Sequence, residues 1–292
     1  MIAVVIFHHD WISIPIFSTI THLFGLWGVD VFLFASGFGC AYALNKYTKT
    51  TFWLKRILRL LPTCVIVGIL IYCFDIFLDA ERTITYLPVR LLSLHRWYIQ
   101  AILICYLICP FAYIILKRYQ VSGLFLMILL AIVVEMFLPR IPVWKINWVF
   151  GRIPVFLIGM YIAEFNLKLK PWQYTISALC LVLAVLTRYR GGYYMLNWTN
   201  FLALAMPFVC ETLCRLRNIS IRMGIYRPIE IIGMYSLEIY LIHEYLLWAI
   251  YPIAIPLWSK YLLFISILVV LSILVKWLGN LISAKPIRIL AH

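Results

Sequence analysis

The sequence predicts an all-α, polytopic membrane protein with about ten transmembrane helices. Its 292 residues are 65% hydrophobic and only 12% charged, whereas soluble domains are about 45–50% apolar and 25% charged. Apolar runs recur along the whole chain between short polar loops, and a spanning helix needs roughly 20 apolar residues. No hydrophilic block is long enough for a separate soluble domain, so residues 1–292 are predicted to form a single transmembrane domain.

The apolar runs define the predicted helices in order. The first run is too short to cross a bilayer. We therefore expect the complete first helix to begin roughly ten to fifteen residues before Met1. The predicted segments lie near residues 1–8, 27–45, 60–78, 97–116, 121–138, 148–165, 172–187, 195–214, 229–251 and 261–282.

The formal net charge of +14 does not indicate nucleic-acid binding, because the basic residues fall in short loops between apolar runs rather than in one patch. Loops after the even-numbered segments hold more Lys and Arg than the others, which predicts that both termini are cytoplasmic. The densest clusters are Lys55 to Arg59 and residues 215–227. We expect membrane lipids as neighbours and no nucleic acid as a partner.

The eight cysteines lie in or beside predicted helices. They do not form paired Cys-x-x-Cys motifs with nearby histidines, so the sequence predicts free thiols and no zinc site.

Residues 25–62 carry the densest set of chemical signals. Asp30 sits within an apolar run, where a central charge costs roughly 2.5–3.5 kcal/mol. Arg56 and Arg59 stand three residues apart, so they share one face of a helix and suit a phosphate-bearing ligand. The alternative interpretation is membrane packing followed by positive-inside anchoring.

Five motifs follow one another along the chain. They are Val4-Val5-Ile6-Phe7-His8, Gly28-Val29-Asp30-Val31-Phe32 through Ser36-Gly37-Phe38, Arg56-x-x-Arg59-x-x-Pro62, the pair Trp97-Tyr98, and Ser236-x-x-x-Tyr240-Leu-x-His243. This ordered set resembles the acyltransferase-3 family of integral membrane acyltransferases. The family's first arginine would lie about ten residues before His8, ahead of Met1.

The resemblance implies that His8 is the catalytic histidine. It would act as a base, or as a transient acyl carrier, in acyl transfer from a thioester to a hydroxyl. His9 is the neighbouring candidate, and Asp30 or Asp10 would orient the imidazole. The plainer alternatives are interfacial histidines without chemistry and, for Asp30, a solvated position at the outer end of its helix.

The resemblance also assigns the donor and acceptor regions. Arg56 and Arg59 would contact the phosphates of acyl-CoA, a donor substrate, and no bound cofactor is implied. Ser236, Tyr240 and His243 share one helical stripe. Trp97, Tyr240 and His243 would line an acceptor cavity, or would only bond to neighbouring helices. Glu238 points away from the stripe and is a candidate ion-pair partner for Arg152.

The resulting prediction is an inner-membrane O-acyltransferase. It would move an acyl group, acetyl above all, from cytoplasmic acyl-CoA to a hydroxyl of a cell-envelope glycan or lipid-linked sugar. The alternative is a transporter or flippase of such precursors, which intramembrane charges also fit. Against it stands the lack of matching Gly/Pro-interrupted helices in two halves. An inactive relative is a third interpretation.

Overall fold

The computed structural model describes residues 1–8, 15–78, 96–137, 149–189, 198–224 and 226–289, and within these ranges the chain is helical, without a β-strand. This confirms the all-α prediction. Backbone polar groups in hydrocarbon must be satisfied within their own segment, which favours helices throughout. The helices are α1 (Ile2–Phe7), α2 (Pro15–Lys46), α3 (Lys49–Leu78), α4 (Trp97–Phe137), α5 (Ile153–Glu164), α6 (Pro171–Tyr189), α7 (Trp198–Arg222), α8 (Tyr226–Met234), α9 (Ser236–Ile250) and α10 (Leu257–Ile289).

Four stretches of the described chain are long and apolar enough to cross a membrane: Trp27–Lys46, Lys49–Phe74, Trp97–Phe137 and Leu257–Ser283. Ile153–Glu164 and Pro171–Thr187 are shorter apolar helices. The chain therefore has the long apolar helices of a membrane protein. The predicted number of ten spans is not confirmed.

Helix α4 is two helices joined at a sharp kink rather than one rod. Its 41 residues would extend about 60 Å, roughly twice the hydrocarbon thickness of a bilayer. Gln120 interrupts it with φ 49° and ψ −123°. A Cβ at Gly123 would lie 2.9 Å from the carbonyl oxygen of Ile115, a contact that a straight helix cannot make across eight residues. The break separates the predicted segments 97–116 and 121–138.

Three predicted boundaries are wrong. Helix α3 begins at Lys49 rather than near residue 60, so Arg56 and Arg59 lie inside a helix and not in a loop. The predicted segment 229–251 is broken at Tyr235 into α8 and α9. Much of the predicted basic loop 215–227 is likewise helical, because α7 continues to Arg222.

The chain divides into two compact units. Unit 1 comprises residues 1–25, 54–95 and 225–292, and unit 2 comprises residues 26–53 and 96–224. In unit 1, α9 packs against α1, α8 and α10.

In unit 2, α7 packs against both α5 and α6, and α5 also packs against α4. Helix α5 is the most deeply buried element of this unit, since every residue from Ile153 to Met160 is buried.

Candidate functional site

Two histidines that are distant in the sequence meet in unit 1. His8 is the residue that ends α1, and His243 lies on α9, which packs against α1. Their rings meet edge to face, with centroids 5.0 Å apart and planes at 68°. His243 is 1% exposed, whereas His8 is only partly buried. A buried imidazole beside a more accessible one is an arrangement that can hold and pass a proton.

The hydrogen bonds of His243 define its tautomer. Its Nδ1 lies 3.0 Å from the carbonyl oxygen of Ile239 and 2.8 Å from that of Tyr240. Carbonyl oxygens only accept, so Nδ1 must carry the proton and donate it. In the neutral ring Nε2 is then the basic nitrogen.

Tyr240 belongs to the same stripe of α9, as its spacing predicts. It is buried, and its ring centroid lies 5.9 Å from that of His243. Ser236, one turn earlier, is half-buried. The stripe therefore faces protein in unit 1.

The basic pair lies on α3, also in unit 1. Arg56 is partly buried and Arg59 is exposed. Helix α10 fixes this part of α3, because the Ser283 hydroxyl donates a 2.8 Å hydrogen bond to the carbonyl oxygen of Leu58. Farther along α3, a Cβ at Gly279 would lie 3.2 Å from Oγ1 of Thr63, so the two helices approach closely there as well. An exposed guanidinium on a braced helix is available to an anionic ligand.

A lysine contacts the break between α8 and α9. The ammonium of Lys276 on α10 donates to the carbonyl oxygen of Met234, the last residue of α8, and lies 4.7 Å from the ring centroid of Tyr235. A cation at a helix C-terminus is favourable because the terminal carbonyls carry partial negative charge. Glu238, buried in the first turn of α9, interacts electrostatically with this cation.

In unit 2, Asp30 forms a buried ion pair with Arg152. Asp30 is 0% exposed, so the interpretation of a solvated residue at a helix end is wrong. Glu238 was a candidate partner of Arg152 from the sequence, whereas the ion pair that the structure describes for Arg152 is the one with Asp30. The guanidinium of Arg152 also lies 5.4 Å from the ring centroid of Trp97. A buried charge without a partner is energetically costly, so each of these two buried groups is stabilised by the other.

Two glycines bring α2 and α5 together around this ion pair. A Cβ at Gly37 would overlap the carbonyl of Phe156, and a Cβ at Gly159 would overlap that of Phe34. The helices therefore cross with backbones in contact, as small residues permit in membranes. Arg152 immediately precedes α5, so this crossing fixes its position relative to Asp30.

A second polar cluster in unit 2 joins three helices. Asn45 on α2 accepts hydrogen bonds from Tyr113 (2.5 Å) and Lys117 (3.1 Å) on α4. It donates to Glu164 at the end of α5 (2.9 Å). Lys117 and Glu164 also form an ion pair at 3.4 Å. Every group in the cluster has a partner, which suits a structural role.

The model of the acyltransferase-3 family, described as an acyltransferase domain, matches residues 1–281. The chain belongs to the acyltransferase-3 family. No curated protein and no solved structure matches it. Together with its apolar helices, membership makes this acyltransferase-3 protein a membrane acyltransferase.

The acyltransferase-3 protein thus holds its predicted site residues in two places. His8, Arg56, Arg59, Tyr240 and His243 belong to unit 1, and Asp30 and Trp97 belong to unit 2. His9 and Asp10 lie outside the described residues. The catalytic role of Asp30 remains a prediction.

Sequence reasoning did not single out Lys276, which contacts the break between α8 and α9. It stands inside the long apolar run of α10, and an isolated cation there is costly unless it serves a purpose. That cost is the signal that could have identified it.

Proposed function

We propose that the protein transfers an acyl group, acetyl in the simplest case, from cytoplasmic acyl-CoA to a hydroxyl of an envelope glycan or lipid-linked sugar. The observation that carries the proposal is the contact of His8 with His243 in the unit that also holds Arg56 and Arg59. Family membership supports acyl transfer and does not favour a transporter.

In the proposed reaction His8 is the base. Its imidazole takes the proton of the acceptor hydroxyl as the hydroxyl oxygen attacks the thioester carbonyl carbon. The new C–O bond forms as the C–S bond breaks. The leaving thiolate of coenzyme A then takes the proton from the His8 imidazolium, which restores the base. The edge-to-face contact with His243 supports a fixed orientation of the His8 ring during these steps.

Arg56 and Arg59 hold the donor in this proposal. Guanidinium groups bind phosphate through paired, charge-assisted hydrogen bonds, and coenzyme A carries its phosphates at the adenosine end. The partial exposure of Arg56 and the exposure of Arg59 support access for such a ligand. Tyr240 remains a candidate for the acceptor region of unit 1, and the role of Trp97 remains a prediction from the sequence.

Membranes that contain the protein, incubated with radiolabelled acetyl-CoA, provide the test. We expect label in envelope glycan or lipid-linked sugar with the wild-type chain and none with His8→Ala. His9→Ala is the matched control, because it removes the adjacent imidazole and should keep transfer. Absence of labelled product with the wild type, under conditions where the protein binds acetyl-CoA, would contradict the proposed acceptor.

A further inference from the structure

Glu238 is a buried carboxylate with an uncommitted oxygen. It is 5% exposed and lies in the first turn of α9, where its charge is close to its own backbone N–H. Among the residues that the structure describes, no hydrogen-bond partner reaches its Oε2. A buried carboxylate oxygen without a donor is costly, so such an atom indicates a missing hydrogen-bond donor.

Two cations act on Glu238 without bonding Oε2. Lys276 and Arg59 both act on it electrostatically. The ammonium of Lys276 is directed to the carbonyl oxygen of Met234 at the end of α8. Arg59 is exposed on α3. The two positive charges partly offset the cost of burying an ionised carboxylate at this position.

Glu238 lies near the proposed phosphate contact and on the same helix as His243. On α9 it precedes His243 by five residues, about 7.5 Å along the helix axis. Its electrostatic partner on α3 is Arg59. A donor whose phosphates bind Arg59 and whose thioester reaches His8 would extend along α9 from the level of Glu238 to that of His243. The part of acyl-CoA between phosphates and thioester is the pantetheine arm, which carries amide N–H groups and a hydroxyl.

We propose that Glu238 positions the acyl donor by accepting a hydrogen bond from an amide N–H or the hydroxyl of the pantetheine arm. This inference rests on the proposed function. Loss of a hydrogen bond to a charged acceptor weakens binding about 10- to 100-fold. The loss should affect only ligands that contain the arm.

Equilibrium binding of two ligands to the purified full chain in detergent tests the inference. One ligand is acetyl-CoA, and the other is its adenosine bisphosphate fragment, which carries phosphates but no pantetheine arm. Glu238→Ala should raise the Kd for acetyl-CoA about 10- to 100-fold and leave the Kd for the fragment unchanged. Arg59→Ala, the matched control, should weaken both ligands.

Unchanged binding of the fragment also shows that the Glu238→Ala protein is folded. If the alanine variant does not purify, Glu238→Gln takes its place, since glutamine has the same shape and keeps only a neutral acceptor. It should weaken acetyl-CoA several-fold and spare the fragment.

Three results would overturn the inference. Equal weakening of both ligands would show that Glu238 acts through Arg59, and tighter binding of both would show that it competes with phosphate. Unchanged binding of acetyl-CoA would show that the carboxylate contacts no donor group. Failure of the wild-type chain to bind acetyl-CoA at all would overturn the proposed function itself.

Discussion

His243 donates from Nδ1 toward the carbonyl oxygens of its own helix and meets His8 edge to face, with ring centroids 5.0 Å apart. The first contact fixes the tautomer of His243, and the second joins α1 to α9. The backbone of one helix thereby determines which nitrogen of His243 is basic.

Substitutions at His243 should separate its two nitrogens. Asparagine can replace the Nδ1–H donor but not Nε2, whereas glutamine places its amide near the position of Nε2. We expect His243→Asn to reduce acyl transfer about 10²-fold, as misplacement of a catalytic group does, and His243→Gln to reduce it less. Equal rates for the two variants, in an assay with acetyl-CoA, would show that Nε2 has no role.

Removal of Arg152 should destabilise the protein strongly. It leaves the carboxylate of Asp30 buried and unpaired, a change worth about 3–5 kcal/mol of the free energy of unfolding. The control is Arg215→Ala, which breaks the exposed pair with Glu211 and should cost about 0.3–0.5 kcal/mol.

Thermal unfolding in detergent measures both losses. Adding Asp30→Asn to Arg152→Gln should recover part of the loss, because the remaining partner is then neutral. A loss at Arg152 as small as that at Arg215 would contradict the buried pair.

An added methyl group at the crossing of α2 and α5 should destabilise the protein. Gly37→Ala or Gly159→Ala forces a Cβ into the backbone of the facing helix and should cost about 1–3 kcal/mol of the free energy of unfolding. Gly233→Ala on α8 is the control, since nothing lies within 4 Å of its Cβ position. Alanine there should be neutral or stabilising by about 1 kcal/mol. Equal stability of all three variants would show that the helices do not cross this closely.

The segment from Lys55 to Arg59 should face the cytoplasm, because it belongs to the densest basic cluster of the sequence. Single cysteines placed there, in a chain without its native cysteines, should resist an impermeant thiol reagent added to intact cells. They should react after the cells are broken. Labelling in intact cells would reverse the predicted orientation.

Much of the fold follows from the sequence because apolar length and polar breaks are local properties. The break at Gln120 separates two predicted segments, and the stripe of Tyr240 and His243 follows from helical spacing. The start of α3 at Lys49 was missed, since basic residues at the end of a span look the same in a loop and in a helix.

Pairing across helices could not be predicted in the same way. The sequence contains several carboxylates that could pair with Arg152. Only the close crossing at Gly37 and Gly159 brings Arg152 to Asp30. The contact of His8 with His243 depends on α1 packing against α9, for which spacing within one helix carries no information.

The rate of acyl transfer by His8→Ala, compared with its affinity for acetyl-CoA, tests the central claim most directly. Loss of a general base lowers the rate about 10²–10⁴-fold, while Arg56 and Arg59 should keep donor affinity near that of the wild type. Arg59→Ala should do the reverse, weakening donor binding. A His8→Ala protein that still acylates its acceptor at the normal rate would exclude this histidine as the base.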